Sequence, residues 1–260
     1  MTSSSMGKEK IHLWYAYPDD LLQQNSADAC ARLLSEDEQA RWQTFKFEEH
    51  RREYLATHAL ARTALSYHGK LSPEAWRFRP SAYGKPALVP ECGLSFNLSN
   101  SRALVVCLVA ENADVGVDVE PNSRAQTILE VARSVFSELE LKQLEALKAD
   151  DRLRRCLQLW TLKEAYIKAR GIGLRLPLSK FSFEFDEDRA IRMVLDADLN
   201  DRTDRWQFCL LEHSNHCVAL MVESRTPPEL EVIEARTFLS APVPLKTGQP
   251  YWFPYAARSS

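Results

Sequence analysis

The sequence states one arrangement twice. "LSEDEQARW" from Leu34 is echoed by "FSELELKQL" from Phe136, an offset of 102 residues. At the same offset Gly69, which ends the first helical stretch, falls on Gly171, which ends "LWTLKEAYIKARG". Ser35 followed by Glu38 has capping-box spacing, and Leu55, Ala59, Leu60, Thr63 and Ala64 recur at helical intervals up to Gly69. Alternating segments bounded by turns follow each helix: "WRFRPSAYGKPAL" and "LSFNLSNSRALVVCLVA" in the first half, "FSFEFD" and "WQFCLL…CVALMV" in the second. Identity between the halves is low, so the repeat rests on order rather than on matching residues. That order predicts an α+β chain of two similar lobes, each a small, mostly antiparallel sheet with a long helix, and a ligand crevice between them. The expected boundaries are 1–115, including a loose polar tail, and 116–227. A proline- and aromatic-rich extension, 228–260, has no role the sequence assigns.

At 260 residues, 45% hydrophobic and 27% charged, the chain has enough apolar material for such a core. A net charge of −3 argues against a nucleic-acid binder. No apolar run reaches the roughly 18 residues of a membrane span, and "MTSSSMGKEK" lacks the apolar region of a signal peptide. Six cysteines without a C-x-x-C pair, several of them in apolar runs, fit buried free thiols and a reducing cytoplasm. "CLLEHSNHC" gathers Cys209, His213, His216 and Cys217, but the spacing fits zinc poorly and reads better as a hairpin turn.

The chemistry begins at "GVDVE", Gly116–Glu120, shortly after the apolar "ALVVCLVAE". On a strand Asp118 and Glu120 share one face while Val117 and Val119 take the other. Two like charges side by side are costly to bury unless a cation joins them. On the predicted second-half helix Glu164 and Lys168 stand four residues apart and share a face. In isolation that pair reads as a surface ion pair contributing a few tenths of a kcal/mol, and "DVE" equally as a solvated strand end. The crowding of Trp160, Leu162, Ala165, Tyr166 and Ile167 over the same turns favours a partly buried site. Asp118, Glu120 and Glu164 together offer three oxygen ligands suited to Mg²⁺, which commonly bridges to substrate phosphates, with Lys168 as a point charge on a phosphate. Further donors are Lys85 in "YGKP", Ser99, Asn100 and Ser101 in "NLSNS", and Arg51, Arg52 and Arg62.

In this order "YGKPAL" (83–88), "FNLSNS" (96–101), "GVDVE" (116–120), "FSELE" (136–140) and "WTLKEAYIKARGIGL" (160–174) resemble the 4′-phosphopantetheinyl transferases, specifically the two-lobed surfactin-synthetase-activator type. W-x-x-K-E-(A/S)-x-x-K is the most specific of these motifs. The match runs from about residue 35 to 185. It implies that the phosphopantetheine arm of coenzyme A is moved to a serine of an apo acyl or peptidyl carrier protein, with release of adenosine 3′,5′-bisphosphate. It also implies Mg²⁺ on Asp118, Glu120 and Glu164, and Lys168 on the phosphate under attack. Glu140 or Glu164 would act as base, directly or through a metal-bound water. Lys85, Pro86, Ser99 and, from spacing alone, Arg52 are implied as coenzyme A contacts. Asn100 stands where many relatives carry a histidine on the 3′-phosphate, so the expectation is a weaker contact there, shared with Arg52. Arg124 and Arg133 are candidates for docking an acidic carrier. Such enzymes are commonly monomers. Two alternatives remain: another Mg²⁺-dependent pyrophosphate-cleaving enzyme, and a non-catalytic carrier-binding module.

Overall fold

A computed structural model describes residues 9–186, 190–236, 244–245 and 252–253. The predicted loose tail lies largely outside these, as does much of 237–260.

The first half supplies strand β1 (Lys10–Ala16), helices α1 (Pro18–Asn25), α2 (Ala27–Ala31), α3 (Glu36–Thr44) and α4 (Glu48–His68), then strands β2 (Arg77–Pro80), β3 (Pro86–Val89), β4 (Leu94–Asn100) and β5 (Val105–Glu111). The second supplies β6 (Val115–Pro121), α5 (Ala125–Glu130), α6 (Ala132–Val135), α7 (Glu138–Glu145) and α8 (Ala149–Arg170). Strands β7 (Phe181–Phe185), β8 (Ile191–Leu195), β9 (Trp206–His213) and β10 (His216–Glu223) follow. Strands β11 (Glu229–Glu234) and β12 (Pro244–Leu245) come last. One sheet runs β12-β11-β1-β5-β4 with only β1 and β11 parallel, and the other runs β6-β10-β9 antiparallel. Strands β2–β3 and β7–β8 form separate hairpins.

Alternation along the strands explains the layering. Ile11, Leu13, Val106 and Leu108 of the first sheet meet Val117, Val119, Val218 and Leu220 of the second in one core between the sheets. Trp14, Cys107 and Val109 face away, onto Ala56, Leu60 and Ala64 of α4. On the far side of the second sheet Ala219 and Met221 pack on Leu162, Ala165 and Ala169 of α8. The order is therefore helix, sheet, sheet, helix, which is the predicted α+β pair of lobes.

The repeat extends to single bonds. Ser35 and Glu38 close a capping box on α3, and Ser137 and Glu140 close one on α7. Each glutamate then pairs with a buried cation on the following long helix: Glu38 Oε2 with Arg62 Nη2 at 2.6 Å, and Glu140 Oε2 with Lys163 Nζ at 2.8 Å. The described residues of the segment 228–260 pack against the lobes. Strand β11 lies inside the first sheet, between β1 and β12, and buries Leu230 and Ile233. Trp252 enters the core between the sheets, and Phe253 bridges Phe208 on β9.

Candidate active site

The lobes also meet edge to edge. No backbone ladder joins β4 to β6 among the described residues; side chains take its place. Asn97 Oδ1 accepts the Val117 amide at 2.8 Å, and Ser99 Oγ accepts the Val119 amide at 3.2 Å. The valine side chains enter the core between the sheets, so Asp118 and Glu120 point the other way, toward α8.

Gly116 makes that approach possible. A Cβ there would lie 2.0 Å from the Ala165 carbonyl oxygen and 2.5 Å from the Ala169 nitrogen, so only glycine lets the α8 backbone settle on β6. Lys168 on α8 then reaches across the seam. Its Nζ donates to Asp118 Oδ1 and to Ser99 Oγ, both at 2.8 Å, and Ser99 Oγ donates to Asp118 Oδ1 at 3.0 Å. Asp118 is 4% exposed, and its second oxygen, Oδ2, is buried with no hydrogen-bond partner. Beside it, burial and the Asp118 charge push Glu164 up to about 7, with Glu120 adding to the repulsion and Lys168 opposing it. Burial and Asp118 also raise Glu120, whose Oε1 accepts from Arg124 Nη1 and, at 3.0 Å, from Trp160 Nε1.

An orphaned carboxylate oxygen beside two carboxyls that resist ionisation is a site short of positive charge. A hard divalent cation with oxygen ligands fits it. Among the described residues no three acid, histidine or cysteine side chains close round one point, since Glu120 is turned to Arg124 and Trp160. Asp118 and Glu164 therefore carry the fit, and Glu120 joins only by leaving those partners.

The other predicted residues divide. Glu140 is fully buried: Oε2 takes the Ser137 amide and Lys163, and Oε1 takes the Phe183 amide at 3.0 Å. The structure gives it a capping and pairing role and does not bring it to the acid cluster. Lys85 Nζ donates to the Val115 and Ala169 carbonyls at 3.0 and 2.9 Å, holding the last turn of α8 to the start of β6. Lys85 and Pro86 line a cavity of about 470 Å³. Asn100 and Glu120 line another, a cleft of about 740 Å³ between the lobes. Arg52 is absent from both linings and pairs with Asp19 at 2.6 Å, while Asn100 donates to Glu53. The cations on the larger cleft are Arg102 and Arg124, not Arg52. Arg62 is buried on Glu38, and Arg51 bonds the Phe45 carbonyl. Arg133 is exposed on α6.

Sequence reasoning missed Asn97, Trp160 as a donor to Glu120, and the reason for Gly116. A glycine two residues before an inward acid, opposite the small pair Ala165 and Ala169, was the available signal. The "CLLEHSNHC" segment is the predicted hairpin, with positive φ at Ser214 and Asn215 forming a two-residue turn. Cys209 faces the core between the sheets and Cys217 the opposite core, so the four candidate ligands do not converge.

The profile of the 4′-phosphopantetheinyl transferase superfamily matches residues 114–221. The 4′-phosphopantetheinyl transferase HetI of a Nostoc species is 34% identical over 169 residues, covering 64% of this chain and 70% of HetI. The 4′-phosphopantetheinyl transferase Sfp of Bacillus subtilis is 29% identical, covering 71% of this chain and 81% of Sfp. Among solved structures, the Thermotoga maritima holo-[acyl-carrier-protein] synthase aligns with 44% of this chain and 64% of its own, at 23% identity and a TM-score of 0.36.

Proposed function

This chain belongs to the 4′-phosphopantetheinyl transferase superfamily, and on that premise we propose that it moves the phosphopantetheine arm of coenzyme A to a serine of an apo carrier protein at the seam of β4, β6 and α8. The observation that carries the assignment to this seam is the unpartnered Oδ2 of buried Asp118, whose other oxygen accepts from Lys168 and whose charge raises Glu164.

Coenzyme A is long and anionic. The cleft of about 740 Å³ has the size of a ligand site, and its walls carry Arg102 and Arg124, beside Glu53 and Glu120, as the cations a phosphate could meet. Asp118 and Glu164 would hold Mg²⁺, with Glu120 completing the set; the ion's part is to neutralise pyrophosphate and the leaving phosphate. Lys168 carries three donors, of which Asp118 and Ser99 use two, and the third is available to a phosphoryl oxygen as charge builds. Glu164, beside Asp118 and Lys168, is the carboxylate at this seam placed to take the serine proton. Release of adenosine 3′,5′-bisphosphate follows from that transfer. With Asn100 neutral and tied to Glu53, the 3′-phosphate would meet weaker charge than a histidine there provides. Asn100→His is expected to lower KM for coenzyme A relative to its dephospho form.

Intact-mass measurement on an apo carrier incubated with coenzyme A and Mg²⁺ tests the reading. A gain of one phosphopantetheine arm supports it. Phosphate release without a carrier would point instead to a nucleotide hydrolase, and binding without modification to a carrier-recognition module.

A further inference from the structure

The β9–β10 turn is a sequence motif the transfer chemistry leaves unused, and it reaches into the first lobe at two points. Tyr17, between β1 and α1, bonds His213 Nε2 at 2.9 Å through its hydroxyl and also bonds the Ser214 hydroxyl. His216 is 6% exposed and held on both ring nitrogens: Nδ1 bonds the Ser214 carbonyl at 2.7 Å and Nε2 bonds the Ser101 hydroxyl at 2.9 Å. Ser101 begins the turn after β4 and exchanges backbone bonds with Leu104. This imidazole–hydroxyl bond thus ties the second sheet to the end of the first-lobe strand that carries Ser99.

The turn is coupled to the acid-bearing strand as directly. His216 is opposite Pro121, Cys217 is opposite Glu120, and the Asn122 amide donates to the Asn215 carbonyl at 2.9 Å. Ser101 and Asn100 stand on one wall of the 740 Å³ cleft; Glu120–Arg124 and Ser214–His216 form the other. The Ser101–His216 bond joins these walls directly, next to the seam bonds that Asn97 and Ser99 make to β6.

We propose that the Ser101–His216 hydrogen bond is an inter-lobe latch that pre-sets the width of the cleft, making both side chains positioning residues for coenzyme A. The proposal rests on the assignment of coenzyme A to that cleft. A ligand that bridges two walls binds best when they are already in register, because wall ordering is not then charged to binding. The latch touches neither Asp118 nor Lys168 among the described contacts, so it acts on binding rather than on the transfer step.

Steady-state transfer with Ser101→Ala, His216→Ala, His216→Gln and the Ser101→Ala/His216→Ala double variant tests it, alongside hydrogen exchange of the 101–104 turn without ligand. Each alanine variant is expected to raise KM for coenzyme A roughly tenfold with kcat within about twofold, and His216→Ala, which leaves the Ser101–Leu104 bonds in place, to speed exchange at the turn. His216→Gln, whose amide oxygen can accept from Ser101, should recover part of the loss. The double variant should be no worse than His216→Ala alone. KM within twofold of wild type in both single variants, or a fall in kcat at constant KM, overturns the latch. Absence of transfer by the wild-type protein, with exchange at the turn still faster in His216→Ala, would instead overturn the assignment of function.

Discussion

Single residues show how the same chemistry serves two ends. Glu140 lies at the end of a family motif, and the resemblance makes it a candidate base; the structure makes it the counterpart of Glu38. Both cap a helix and both neutralise a buried cation from the next long helix. That equivalence was legible, because the 102-residue offset relating Ser35 to Ser137 also relates Glu38 to Glu140. Replacing one partner of a buried pair leaves the other charge without compensation. Glu140→Gln should lower unfolding stability by about 3–5 kcal/mol in chemical denaturation, while KM for coenzyme A stays that of wild type in the folded fraction. Unchanged stability with transfer abolished would return Glu140 to catalysis.

At the scale of elements, the decisive event is the settling of α8 on β6. Alternation in "GVDVE" and the four-residue spacing of Glu164 and Lys168 gave the two faces, and both readings match the observed geometry. What spacing could not give is the distance between strand and helix, which Gly116 sets through the missing Cβ. Nor could it give the partners that turn Glu120 aside, since Arg124 and Trp160 reach it from two other elements. Gly116→Ala should force α8 outward, costing about 1–3 kcal/mol of overpacking. It should reduce transfer beyond what that loss of stability explains, because Lys168 moves with the helix. Transfer unchanged in a stably folded Gly116→Ala protein would mean the close approach does not set the site.

Across the whole molecule, the order of motifs predicted two α+β lobes with a crevice, and the helix, sheet, sheet, helix arrangement carries that out. Strand β11 escaped the sequence because the repeat ends before it and its partner, β1, lies more than two hundred residues away in the chain. Local periodicity holds no information about such a pairing. A chain ending at residue 227 would strip β1 of a neighbour and uncover Leu13, Trp14 and the core between the sheets. It should lose cooperative unfolding in thermal denaturation. A sharp transition with full transfer activity would show that β11 is dispensable.

All three scales converge on the buried carboxylate of Asp118, which Lys168 and Ser99 satisfy on one oxygen and nothing in the described chain satisfies on the other. The most direct measurement is carrier modification by wild type and Asp118→Asn, each with Mg²⁺ and with a chelator. Transfer should stop on chelation in the wild type and fall by at least about a hundredfold in Asp118→Asn with the fold retained. Transfer that proceeds in the chelator, or survives in Asp118→Asn, would contradict the assignment of this site.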